Sequence, residues 1–170
     1  KTLLSTGALT NEDIWIRFNL AVRAGNTRLA QYLTKRLPAA RQAQAARWLA
    51  LRAQPARVAE LQPAADLPDQ TLTRYALRRL ALADSDAATA LWMKLRQRSG
   101  YGVPTRTAND GHIGLGLALD HDARAFGWLA SLPDAVSDSL REWRVRSAIR
   151  SSNWAGVQTS IARLTPAQQR

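Results

Sequence analysis

The sequence predicts an all-α protein, a right-handed α-superhelix built as a solenoid of helical hairpins, TPR-like in style. Three observations predict it. Ala, Leu, Arg and Gln are frequent, and alternating β-branched runs of strand length are nearly absent. Apolar residues recur at helical spacing in one segment after another. Capping or helix-breaking residues also fall in a column, Asn26, Pro55, Asp86, Asp122 and Asn153, separated by 29, 31, 36 and 31 residues. That is the period of stacked helix-turn-helix units.

In chain order, Thr10 and Asp13 form a capping box, and Ile14, Phe18, Ala21 and Val22 make one apolar face running to Gly25. Asn26 caps a second helix whose Leu29, Ala30, Leu33 and Leu37 share a face before Pro38 stops it. A third helix runs from about Ala39 through Trp48 to Ala53, and Pro55 opens a short fourth that carries Val58, Ala59 and Leu61. After Pro63 and Pro68 the pattern restarts with Leu72, Tyr75, Leu80 and Leu82, turns at "DSD", and resumes through Ala90, Leu91, Met93 and Leu95.

Residues 99–111, "SGYGVPTRTANDG", carry Gly100, Gly102, Pro104 and Asn109-Asp110-Gly111, and are expected to form an exposed loop or a bend in the array. Two further hairpins follow, "GLGLALDHDARAFGWLASLPD" and "LREWRVRSAIRSSNWAGVQTSIARL". Small or apolar residues sit about five before the turns (Ala21, Ala81, Leu117, Ala148) and about four after them (Ala30, Ala90, Phe126, Val157), where neighbouring helices approach closely. The 170 residues therefore read as a single segment of one α-superhelical domain.

The charge is +11, with 24 Lys and Arg against 13 Asp and Glu. Residues 1–60 carry ten basic and three acidic groups, so the excess leans toward the N-terminal third. Most of the basic residues are Arg, which pairs well with planar carboxylates and with phosphates. Arg17, Arg23 and Arg28 are the candidate basic face for an anionic partner. Without cysteine the chain has no disulfide, no thiolate nucleophile and no Cys-ligated zinc, although this does not decide its compartment. "KTLLSTGALT" lacks a signal-peptide core, and no stretch approaches ~18 uninterrupted apolar residues, so neither a leader nor a membrane span is expected.

Convergent chemistry is sparse. His112 and His121 are flanked by Asp110, Asp120 and Asp122, but "LDHDA" reads as a capped helix turn rather than a metal site. "GHIGLG" has neither a preceding strand nor a following Gly-Lys-Ser/Thr, so its Gly114 and Gly116 point to close helix packing or a loosened helix start. The three glutamates, Glu12, Glu60 and Glu142, lie in no cleft-forming pattern, and no Gly-x-Ser-x-Gly elbow occurs. No catalytic residue, metal or cofactor is expected. The six tryptophans lie in or beside helix-pattern segments, where a large ring seals the seam between repeats.

The block "EWRVRSAIRSSNWAGVQTSIARLTPAQQ", Glu142 to Gln169, resembles a segment of the soluble lytic transglycosylases of Gram-negative bacteria. The matching residues are Trp143, Arg144, Val145, Arg146, Ala148, Asn153, Trp154, Ile161 and Leu164, and "NEDIWIRFNLAVRAGNTRLA" has the same character. The resemblance implies a non-catalytic superhelical scaffold of a periplasmic enzyme that cleaves MurNAc–GlcNAc bonds of peptidoglycan to 1,6-anhydro products. In that family a U-shaped helical domain joins a linker domain and a lysozyme-like domain, whose catalytic Glu precedes Ser and a "GLMQ" motif. Here the glutamates precede Asp, Leu and Trp, and "GLMQ" does not occur, so no catalytic residue carries over. The implied partners are peptidoglycan glycan strands, the parent's own linker and catalytic domains, and cell-wall synthesis proteins. The alternative is a helical-repeat protein-interaction module, although the TPR consensus is not found at any Trp. A nucleic-acid-binding repeat ranks third, because no one-base-per-repeat code is detectable.

Overall fold

The structure, a computed structural model, describes residues 9–60, 67–97 and 100–169. Among these residues it is all-α and has no strand, as predicted. The chain divides into two compact units, Lys1–Gln54 and Pro55–Arg170.

The first unit contains α1 (Asn11–Arg23), α2 (Thr27–Thr34) and α3 (Ala39–Ala53). The predicted capping box is present: Asp13 N–H donates to Thr10 Oγ1 at 3.2 Å, and Thr10 N–H donates to Asp13 Oδ2 at 2.9 Å. Ile14, Phe18, Ala21 and Val22 are buried, as their spacing requires, and so are Ala30 and Leu33 of α2 and Ala45, Trp48 and Leu51 of α3. The face predicted for α2 holds only in part: Leu29 is exposed, and the helix stops at Thr34, which leaves the buried Leu37 in the turn that follows. Trp15 stacks on Phe18 at 5.2 Å and carries the Arg41 guanidinium over its ring. Arg52 of α3 donates to the carbonyls of Gly25 and Val22 at 3.2 and 3.4 Å, tying α3 to the α1–α2 corner.

The second unit opens with a 3-10 helix, Pro55–Glu60, followed by α4 (Leu67–Ala83), α5 (Ser85–Arg96), α6 (Val103–Leu119), α7 (Ala125–Ala130), α8 (Asp138–Arg150) and α9 (Trp154–Ala162). Leu61 and Pro63 of the sequence reading lie outside the described residues. The buried face of α4 is Leu72, Ala76, Leu77, Leu80 and Ala81, and that of α5 is Ala88, Trp92 and Leu95; Leu82 and Met93 are exposed.

Three hairpin corners share one backbone solution. At each, a residue at positive φ (Gly25 at 80°, His121 at 64°, Ser152 at 53°) closes the helix. The next residue, Asn26, Asp122 or Asn153, donates its N–H to the carbonyl five residues back, that of Ala21, Leu117 or Ala148, at 2.9, 2.9 and 3.0 Å. This is the Schellman termination. Asn26 and Asn153 then cap the following helix by accepting from Leu29 and Gly156. Ala21, Leu117 and Ala148 are buried at these corners, so the small-residue column marks helix ends pressed against a partner. The column fails at Asp86. The cap there is Asp84, which accepts from Ala87 N–H at 2.8 Å, so the buried position four residues on is Ala88 and not the exposed Ala90. Pro55 starts the 3-10 helix and is not a hairpin corner.

The expected loop at 99–111 is mostly helix. Gly100 sits at φ 106°, but α6 runs through Asn109, Asp110 and Gly111 to Leu119. Pro104 falls in the first turn, where its missing N–H costs nothing. Burial then overrides local propensity. Asp110 accepts from Trp92 Nε1 at 2.7 Å and from Arg96 at 3.0 Å, and Thr105 donates to Gln70. A Cβ added to Gly111, Gly114 or Gly116 would press on Leu140, Leu129 or Ala81 respectively, so these glycines let α6 contact α8, α7 and α4 closely. Gly114 and Gly116 therefore serve close packing, the first of the two roles read from the sequence.

Candidate functional site

The glutamates sit at the surface and each is paired: Glu12 with Arg41 at 3.4 Å, Glu60 with Arg57 at 2.9 Å, and Glu142 with Arg146 at 3.2 Å. The Arg57 hydrogen bond holds the Glu60 carboxyl below its ordinary range. A general acid for glycoside cleavage needs the opposite shift.

Arg17, Arg23 and Arg28 are all exposed along the α1–α2 hairpin. Arg23 ends α1 and Arg28 lies in the first turn of α2, on either side of the Gly25-Asn26 corner. Arg17 stands six residues before Arg23, which turns it roughly 120° around the helix axis from Arg23. The structure therefore sets two of the three at the corner and the third on another side of α1.

The corner sequence "AVRAGN" recurs as "AIRSSN" 127 residues later, so Arg17 and Arg23 correspond to Arg144 and Arg150. Their fates differ. Arg144 is 1% exposed, donating to the carbonyls of Leu129 at 2.8 Å and Leu132 at 3.1 Å. Burial and the nearby Arg163 pull its pKa below the ordinary guanidinium value. Arg163 donates to the carbonyls of Leu132 and Ala130, and Arg141 to those of Asp134 and Val136. The three guanidiniums thus clamp the end of α7 and the turn into α8.

The "WRVR" block is divided by helical periodicity. Arg144, Ser147 and Ala148 are buried, while Trp143, Arg146 and Arg150, spaced i, i+3 and i+7, form a stripe on another side of α8 that Ser147 borders. This stripe lines a groove. One cavity of about 410 Å³ is bounded by Ala118, Trp143, Arg146, Ser147, Ile149 and Arg150. A second, of about 120 Å³, shares Ala118, Ser147 and Arg150 and is closed by the α6–α7 corner at His121, Asp122, Ala123 and Ala125, with Ser151.

The groove is cationic. Arg146 lies over the Trp143 ring at 5.1 Å and pairs with Glu142. Among the described residues, the Arg150 side chain makes no ion pair or hydrogen bond. The Asp122 carboxyl is committed to Arg124, whose hydrogen bonds hold its pKa down to about 2. The stripe on α8 was legible from helical spacing. The corner opposite it was not, because it joins residues some 25 positions away.

The histidines stand apart. His121 is exposed at the corner, whereas His112, half-buried on α6, is pushed down to about 4 by burial and by Arg78 and Arg74. Among the described residues no cluster of three or more metal-ligating side chains forms. Of the tryptophans, Trp48 and Trp92 are buried and Trp15, Trp128 and Trp143 half-buried, while Trp154 is 67% exposed and seals no seam among the described residues. No helix among the described residues is long and apolar enough to cross a membrane.

No family model matches the chain, and no curated protein does. Solved structures do match it. An inactive mutant of the lytic transglycosylase Slt from Pseudomonas aeruginosa superposes with a TM-score of 0.78 and 27% identity, over 98% of this chain and 27% of that one. The 70-kDa soluble lytic transglycosylase in complex with bulgecin A matches with a TM-score of 0.76 and 23% identity, over 98% of this chain and 28% of that one. The chain thus spans about a quarter of the length of these proteins and reproduces the fold of a helical part of them.

Proposed function

We propose that this chain is a non-catalytic superhelical scaffold portion of a lytic transglycosylase, a periplasmic enzyme that cleaves peptidoglycan MurNAc–GlcNAc bonds to 1,6-anhydro products. One observation carries the reading: near-complete coverage of the chain by a lytic transglycosylase fold at 27% identity, with the "WRVR…NW" block already pointing to that family. The +11 charge supports contact with an anionic wall polymer, and Arg17, Arg23 and Arg28 are the proposed basic face of the first unit. The remaining partners in this reading are the parent's linker and catalytic domains and cell-wall synthesis proteins.

The test is co-sedimentation of the chain with purified peptidoglycan sacculi at low and high salt. Binding that weakens with salt is expected, together with a several-fold loss in the triple variant Arg17→Glu, Arg23→Glu, Arg28→Glu. Equal binding by that variant removes the basic-face assignment, and no sedimentation of the unmodified chain sinks the scaffold's contact with glycan. A protein-interaction module has one observation in its favour, the exposure of Trp154 and Ile161 one heptad apart on α9. It gains if the sacculi leave the chain in solution.

A further inference from the structure

We propose that the groove between α8 and the α6–α7 corner binds a carboxylate-bearing saccharide, with Arg150 and Arg146 as its anion contacts and Trp143 as its apolar wall. The choice of a wall saccharide rests on the cell-wall reading above; the groove chemistry does not.

Size comes first. The main cavity, about 410 Å³, falls within the range of small-ligand sites, and the side cavity of about 120 Å³ extends it toward His121. The walls then define the ligand's two sides. Trp143, Ala118 and Ile149 offer an apolar surface suited to the C–H face of a pyranose ring. Against it stand two guanidiniums four residues apart on α8.

The arginines elsewhere in this unit that touch α7 and its flanking turns, Arg124, Arg141, Arg144 and Arg163, are engaged by carboxylates or carbonyls. The Arg150 side chain has no such partner among the described residues, so its five donors face solvent and the groove. Arg146 is held in place by the Trp143 ring and Glu142, which reduces the entropy lost when it takes a further acceptor. Asp122, the carboxylate in the lining, is already neutralised by Arg124. An anion meets a net positive wall. A neutral sugar would leave Arg150 unanswered, and an acid without a ring would leave the apolar wall at Ala118, Ile149 and the part of Trp143 outside the Arg146 contact uncovered.

The experiment is titration of the 170-residue chain, followed by amide and indole NMR shifts, with three probes. These are the disaccharide GlcNAc–MurNAc, the neutral N,N′-diacetylchitobiose, and the acidic dipeptide Ala-Glu. The carboxylated disaccharide is expected to bind about tenfold more tightly than either other probe, and to shift Trp143 Nε1–H and the amides of Ser147 to Ser151. Arg150→Ala is expected to lose about tenfold, whereas Lys94→Ala, an exposed cation on α5, retains full affinity. Thermal melts of each variant confirm that it folds. Equal binding of chitobiose, equal binding of the dipeptide, an Arg150→Ala variant as good as the unmodified chain, or no shift with any probe overturns the proposal. Sedimentation with sacculi, measured in parallel, reports on the cell-wall reading separately: a chain that sediments but ignores the disaccharide keeps that reading and loses the groove.

Discussion

Gly116→Ala adds a single methyl group at the point where α6 meets α4. The new Cβ would lie 3.0 Å from the carbonyl carbon of Ala81 and 3.1 Å from its Cβ, and closer still to its carbonyl oxygen. Carbon atoms in contact normally rest about 3.5–4.0 Å apart. The obstacle is backbone, so no rotamer change relieves it, and the two helices must separate by about 0.5–1 Å. A gap of that size forfeits roughly a quarter to a half of the dispersion energy across the contact. The affected side chains include Leu77, Leu80, Ile113 and Leu117, all buried. Overpacking of this kind costs about 1–3 kcal/mol and occasionally more, against which Ala returns about 1 kcal/mol of helix propensity. The expected net loss is up to about 2 kcal/mol.

Gly127→Ala provides the matched control, because a Cβ there meets nothing within 4 Å in α7 and should gain up to about 1 kcal/mol. Urea unfolding followed by circular dichroism gives both values from the midpoint shift, with the slope checked for constancy. Stability of Gly116→Ala equal to that of Gly127→Ala would refute the α4–α6 close approach, and with it the account of why this glycine-rich stretch is helical.

Three further outcomes test other parts of the molecule. Arg144→Met should cost about 2–4 kcal/mol in denaturant unfolding, because the Leu129 carbonyl is left buried without its donor, whereas Arg146→Met, which loses an exposed i,i+4 pair, should cost under about 1 kcal/mol. Ser152→Gly should raise the melting temperature by a few degrees, since a non-glycine residue at φ 53° carries about 1 kcal/mol of strain that glycine lacks. For His112 the pKa of about 4 lies below the unfolded value of 6.5, so on acidification the unfolded chain takes the proton first. Stability should therefore fall between pH 6.5 and 4, by up to about 3 kcal/mol, and the fall should shrink in His112→Gln. An unchanged pH profile in that variant would show that the imidazole is not held neutral by the fold.

The paired corners explain how one short pattern serves two ends. In "AVRAGN" and "AIRSSN" the alanine is the buried third-from-last helical position, the residue before Asn takes the left-handed conformation, and Asn starts the next helix. Gly25 satisfies this requirement without strain, whereas Ser152 and His121 satisfy it against their own preference. Packing at the corner, rather than the turn residue alone, holds the conformation there.

The sequence by itself determined the all-α class, α1 and α3 nearly to the residue, the Thr10–Asp13 box and the Asn26 and Asn153 caps. Each of these is a local matter of periodicity or of a side chain reaching three residues along the backbone. Tertiary structure decided what local signals opposed or could not reach. It made residues 103–111 helical, because Trp92 and Arg96 answer the Asp110 carboxylate, Gln70 accepts from Thr105, and the glycines of α6 admit Leu140, Leu129 and Ala81. It moved a cap from Asp86 to Asp84, where burial of Ala88 set the register. It also gave corresponding arginines opposite roles, sending Arg144 inward to buried carbonyls while Arg17 stayed in water. A guanidinium is buried only where acceptors converge on it from distant parts of the chain, and that convergence is a property of the packed molecule alone.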